Sequence, residues 1–221
     1  MKTIQLNLYS FDELDEKGKQ NALQEFQDLN VMFDWWEFSY NDFESICTCL
    51  GITVDNKSIH FQGFYSQGDG SCFDADVDLL ALINAIAVSA WKDYAPNVEF
   101  QFSVPGIDRR VLTLIQKKKI EINARIISRQ RGYGIVIDLG VYPVSETGKN
   151  HDMIYGELDE LEKWLDGIAQ TLNRYLYKSL EREYEYQTGD EAIAGSIEAN
   201  DYLFTSDGKS ATRLNKLANN Q

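Results

Sequence analysis

Two apolar runs alternate with polar residues and lie close together in the chain. Ile120, Ile122, Ala124 and Ile126 form the first, and Ile135, Ile137, Leu139 and Val141 the second. A period of two places each set on one face of a strand, and Arg129-Gln130-Arg131-Gly132 supplies the turn between them. This pattern commits the chain to an antiparallel hairpin with one buried face. A helical pattern follows it, over residues 157–187. Leu158, Leu161, Leu165, Ile168, Leu172 and Tyr175 fit a heptad seam, but Ser179 takes the next position and weakens it. A helix packed across a sheet is therefore expected in preference to a dimerising coiled coil.

A second hairpin is expected over Phe61-Gln62-Gly63-Phe64-Tyr65-Ser66-Gln67-Gly68-Asp69-Gly70-Ser71-Cys72-Phe73. Ile59, Phe61, Gly63 and Tyr65 would share one strand face, with His60, Gln62 and Phe64 on the other. Gly68 and Gly70 can take positive φ, and Asp69 tolerates it, so Gly68-Asp69-Gly70 reads as the tip. Successive backbone N–H groups at such a tip can form an anion-binding nest. Ser66, Gln67 and Ser71 add neutral hydrogen-bonding groups.

Elsewhere, Ile4, Leu6 and Leu8 alternate, so residues 3–9 read as a strand. Ser10 and Glu13 make a capping box for a helix from Phe11 to Leu29. Asp34 can cap a helix over 35–50 that stops at Gly51. On it, Trp36, Tyr40, Phe43, Cys47 and Leu50 form a buried stripe, while Trp35 falls off that stripe. Ile52-Thr53-Val54 is extended, and a helix should run over 77–94. Phe100 and Phe102 suggest a short strand, and Asp108 or a neighbour opens a helix to about Gln116 that Lys117-Lys118-Lys119 closes. Thr188 caps a helix ending near Asn200, and Tyr202-Leu203-Phe204 reads as a last strand. Hairpins with helices between them, and no regular βαβ units, define an α+β fold with a mainly antiparallel sheet. One domain is expected over 1–209, followed by a polar, frayed tail over 210–221.

Lys and Arg number 21 against 35 Asp and Glu, a formal net charge of −14. That argues against direct nucleic-acid binding, which rests on basic surface, and suits a basic partner. The basic stretches at Lys117–Lys119 and Arg129–Arg131 carry no recognised nucleic-acid motif. Cys47, Cys49 and Cys72 are too few and too irregular for a disulfide framework, and His60 and His151 are the only histidines. No signal-peptide core or membrane-length apolar run is present, so a soluble cytoplasmic protein is expected. Asp74, Asp76 and Asp78 would share a strand face, and with Asp69 they could approach a divalent cation. Acids also favour helix N-termini, and the reading without a metal or cofactor is preferred.

Three pieces belong together: Asp34-Trp35-Trp36-Glu37; Phe61-x-Gly63-Phe64-x-Ser66-Gln67-Gly68-Asp69-Gly70-x-x-Phe73; and the ending from Tyr184-Glu185-Tyr186-Gln187-Thr188 through Ile197-Glu198-Ala199-Asn200-Asp201-Tyr202-x-Phe204. This set resembles a poorly characterised family of phages and prophage-bearing bacteria, some of whose members carry an antitoxin-like label. The resemblance implies a phage-type protein of the host-cell cytoplasm that binds and restrains a host toxin or defence protein. It transfers no catalytic residue.

Ser66, His60 and Asp69 include the residue types of a hydrolase triad, but they crowd onto one hairpin without a nucleophile elbow. Glu37 and Asp69 are a conceivable carboxylate pair. Binding is preferred to catalysis, with Trp35, Trp36, Glu37, Phe64, Ser66, Gln67, Gly68, Asp69 and Gly70 as candidate contacts. The alternative is a nucleotide-like ligand, held by the glycine loop and stacked on Trp35, Trp36 or Phe64.

Overall fold

A computed structural model describes residues 6–117, 119–129, 133–143 and 151–211. In chain order the elements are α1 (Glu16–Glu25), α2 (Glu37–Cys49), β1 (Ile52–Val54), β2 (His60–Gln62), β3 (Gly70–Cys72), β4 (Ala75–Val77), α3 (Leu79–Val88), α4 (Arg109–Gln116), β5 (Ile120–Ser128), β6 (Ile135–Pro143), α5 (His151–Gln187) and α6 (Asp190–Ala199). The fold is α+β. The chain gathers into two compact units, Phe38–Leu180 and Met1–Glu37 with Glu181–Gln221.

The larger unit is built on a four-stranded antiparallel sheet in the order β1-β4-β5-β6. The alternation of β5 and β6 produces the hairpin it implies, with Ile122 opposite Val141 and Ile126 opposite Ile137. Residues 130–132 of its turn lie outside the described residues, as does Lys118. Two apolar rows cross all four strands: Ile52, Val77, Ala124, Leu139 and Val54, Ala75, Ile126, Ile137. Alternation makes these rows possible, because a slip of one residue would turn every side chain to the other face.

Leu79 of α3, Val111 and Ile115 of α4 and Leu161 of α5 pack with Ile120 in one buried cluster. The buried stripe of α5 continues through Leu172, Leu176 and Leu180 instead of Tyr175 and Ser179. This 3.6-type drift is what a straight helix needs to keep one face on a core.

Local chemistry moves several expected boundaries. The helix over 77–94 becomes α3, with Asp78 Oδ1 accepting from Ala81 N at 3.0 Å. It ends at Ser89, whose φ of 56° is left-handed, and a 3-10 turn follows over Ala90–Asp93. Phe100 and Phe102 form no strand. Their rings stack at 4.7 Å and meet Trp91, whose Nε1 donates to Val98 O at 2.9 Å. The alternation of these two rings serves an aromatic cluster under a loop.

In the smaller unit, the expected single helix over 11–29 is broken. Ser10 N donates to Glu13 Oε2 at 2.9 Å, but this box caps only a 3-10 turn over Phe11–Glu13. Leu14 is extended, and Asp15 caps α1 by accepting from Gly18 N at 2.7 Å. Two competing caps five residues apart divide the segment. The expected strand over 3–9 is a single bridge from Tyr9 to Phe204 among the described residues, and Phe204 also bridges to Ser210. These bridges replace the expected strand over 202–204.

The cap of α6 is Gly189, not Thr188, because the Thr188 hydroxyl donates back to Tyr184 O at 2.8 Å. Phe11, Leu14, Ala22, Ile193, Ile197 and Phe204 form the core of this unit. Ser210 N donates to Glu25 Oε2, and Ala211 is fully buried, so ordered packing enters the stretch read as tail. Residues 212–221 lie outside those described.

Candidate functional site

The β2–β3 hairpin pairs His60 with Cys72, Phe61 with Ser71 and Gln62 with Gly70. Its loop is therefore residues 63–69, wider than a Gly-Asp-Gly tip. Positive φ occurs at Gly63 (54°) and Gly68 (97°), whereas Gly70 is part of β3. Gly70 is needed for space, since a Cβ there would lie 2.8 Å from the Tyr133 Cβ.

Asp69 closes the loop upon itself. Its Oδ2 accepts from Tyr65 N at 2.9 Å and Ser66 N at 2.6 Å. Its own N–H donates to Ser66 O at 3.2 Å. These successive N–H groups, which precede the Gly68-Asp69-Gly70 tip where a nest was expected, surround the protein's own carboxylate. At Gly63, a Cβ would sit 2.5 Å from that carboxylate. The glycine and the aspartate are two halves of one closure.

Aromatic packing anchors the loop. Phe64 stacks on Phe61 with ring centres 5.8 Å apart and meets Tyr177 of α5 at 5.5 Å. The Tyr177 hydroxyl donates to Gly63 O at 3.2 Å. Tyr40 of α2 meets Phe61 edge to face, and its hydroxyl lies 3.4 Å from Ile59 O. Burial, reinforced by Cys72, pushes the Tyr40 phenol up to about 12. Beneath β3, Ser71 is 1% exposed and joined reciprocally to Asn173. Ser71 Oγ donates to Asn173 Oδ1 at 2.8 Å, and Asn173 Nδ2 donates to Ser71 O at 2.8 Å.

Of the expected contacts, Phe64 is half-buried structure, while Ser66, Gln67 and Gly68 are exposed along the loop. Tyr65, absent from the expected set, is 72% exposed. Tyr177 and Asn173 were not legible as partners, because neither stands on the apolar seam of α5. A polar Asn beside buried Leu172 was the available signal. Trp35, Trp36 and Glu37 belong to the smaller unit. Trp35 meets Trp36 at 5.7 Å and Tyr184 at 5.6 Å, and both tryptophans are half-buried. Just before them, Met32 and Phe33 are 71% and 77% exposed.

The acidic row has separate duties. Asp74 Oδ1 accepts from Ser128 N at 2.6 Å, Asp76 pairs with Arg125 at 3.0 Å, and Asp78 caps α3. Among the described residues, no group of three or more His, Cys, Asp or Glu converges as a metal site would require. Burial pushes the Cys47 and Cys72 thiols up, which keeps them protonated. No helix among the described residues is long and apolar enough to cross a membrane.

Fold and site together define an α+β protein with a self-closed aromatic loop. The chain belongs to the family described as "Domain of unknown function (DUF8835)", whose model matches residues 35–190. No curated protein and no solved structure matches the chain.

Proposed function

We propose that this is an acidic binding protein that captures a partner protein by direct contact and restrains it. In keeping with the phage-type resemblance, the partner is a toxin or defence protein of the host cell. The observation that carries this reading is the exposure of Met32 and Phe33 immediately before Trp35-Trp36. Adjacent large apolar side chains on a surface cost water structure unless a partner covers them, and aromatic anchors of this kind dominate interface energetics. The net charge of −14 adds electrostatic steering toward a basic partner.

The nucleotide alternative is less well supported. Within the loop the Tyr65 and Ser66 N–H groups already hold Asp69, and a phosphate at the glycine tip would meet that carboxylate at close range. The Tyr65 side chain, 72% exposed while its ring meets Phe64 edge to face at 6.4 Å, offers aromatic surface to a protein contact instead.

The test is affinity capture from a lysate of the bacterium that carries the gene, with wild type and a Met32→Ser/Phe33→Ser variant. The wild type should retain one defined protein and suppress its activity, and the variant should lose it. Retention of nothing above background would overturn the reading, as would substrate turnover by the purified chain. A rise in melting temperature with added nucleotide would favour the alternative.

A further inference from the structure

The edges of the four-stranded sheet are unequal. At one end is β1, with three residues; at the other is β6, with nine. Pairing with β5 uses the inward backbone groups of β6, and alternate residues turn their N–H and C=O groups outward. Among the described residues, none hydrogen-bonds to that outer edge. A strand of this length spans about 30 Å and is a template for another strand.

Beside this strand lies a cleft of about 540 Å³. Val136 and Ile137 line it from β6, and Asp159, Glu162, Lys163 and Asp166 line it from α5. Lys163 is held by Glu160, 2.8 Å away, so the lining is net acidic even with that cation counted. Asp138 adds an exposed carboxylate on the strand.

We infer that the β6 edge takes an extended, basic segment of a partner protein as a fifth strand of the sheet. Backbone pairing along β6 supplies the affinity common to strand addition. An incoming strand alternates its side chains, so its Arg or Lys residues can turn to the face of Ile137, where Asp159, Glu162 and Asp166 of α5 line the cleft, while its aliphatic residues turn to the opposite face beside Val136. The charge also selects against a second copy. Two copies paired edge to edge would bring like carboxylates together across an already acidic pair of molecules. The inference rests on the reading of the chain as a binding protein and adds a surface which that reading does not use.

The probe is a fluorescent nonapeptide of alternating Arg and Val, with fluorescence anisotropy as the readout. Two further peptides carry backbone N-methyl groups at the odd or the even residues. This removes the donors of one edge without changing charge. Wild type should bind the parent peptide, and one methylated form should bind at least about tenfold more weakly than the other. Neutralising the cleft (Asp159→Asn, Glu162→Gln, Asp166→Asn) should weaken the parent peptide about tenfold with an unchanged melting temperature.

The inference fails if the parent peptide does not bind, if both methylated forms bind alike, or if the neutralised protein binds as wild type does. Concentration-dependent dimerisation through β6 would also overturn it. These failures leave capture of a host protein intact. Conversely, loss of capture by Met32→Ser/Phe33→Ser leaves peptide binding at β6 intact.

Discussion

The β2–β3 loop and the β6 edge are opposites in how they treat backbone hydrogen bonds. The loop is rich in glycine and polar residues, yet its Tyr65 and Ser66 donors are satisfied by Asp69. The β6 strand is an ordinary alternating sequence, yet it ends a sheet with its outer groups unpaired among the described residues. Conspicuous sequence chemistry here serves closure, while the open backbone edge arises from topology. A glycine loop is therefore a poor guide to a site until its donors have been traced.

The sharpest way to break this comparison is Gly63→Val. A side chain there combines a disfavoured φ with contact against the Asp69 carboxylate. We expect a loss of about 3 kcal/mol in urea denaturation, and a loss below about 0.5 kcal/mol would mean that the loop is not closed as described. Asn173→Ala should cost about 1.5 kcal/mol, because it removes both side-chain bonds of the pair and leaves the buried Ser71 hydroxyl only the Asn173 backbone carbonyl at 3.1 Å. The double variant with Ser71→Ala should be less destabilised than the sum of the two single ones, which a double-mutant cycle will read.

Asp69→Asn keeps an acceptor but loses its charge, and about 1 kcal/mol is expected. By contrast, Asp138→Asn on β6 should change stability by less than about 0.5 kcal/mol, since it removes only a surface charge.

A further effect appears only at alkaline pH. The Tyr40 phenol ionises near 10.0 when unfolded and at about 12 when folded. Between these values the unfolded chain releases the proton first, so stability falls as pH rises through that window. Denaturation midpoints measured from neutral pH to pH 12 should decline, and Tyr40→Phe should remove part of the decline.

Regular periodicity was the legible part of this chain. Ile120 through Val141 specified the hairpin, and the leucines of the segment over 157–187 specified α5. Where several local signals compete, the sequence was ambiguous. Ser10 and Asp15 are both good caps, and only the packing of Leu14 with Phe11 and Phe204 decides where the helix breaks.

Phe100 and Phe102 carry a strand's alternation, but Trp91 claims both rings. The candidate loop was found, but the duty of Asp69 was not. Nothing in Gly68-Asp69-Gly70 tells whether the carboxylate points outward to a ligand or inward to Ser66 N. The edge position of β6 was illegible for a different reason. Strand order depends on β4 pairing with β1 and β5 at once, which joins residues near 53, 76 and 125.

The most direct measurement is residue-resolved hydrogen exchange, on the free protein and with the alternating Arg-Val nonapeptide bound. Tyr65 and Ser66 amides should be protected in both states, whereas alternate amides of β6 should exchange rapidly in the free protein and slow at least about tenfold when the peptide is bound. Fast exchange at Tyr65 and Ser66, or β6 amides that do not respond to the peptide, would contradict a closed loop and an open, receptive edge.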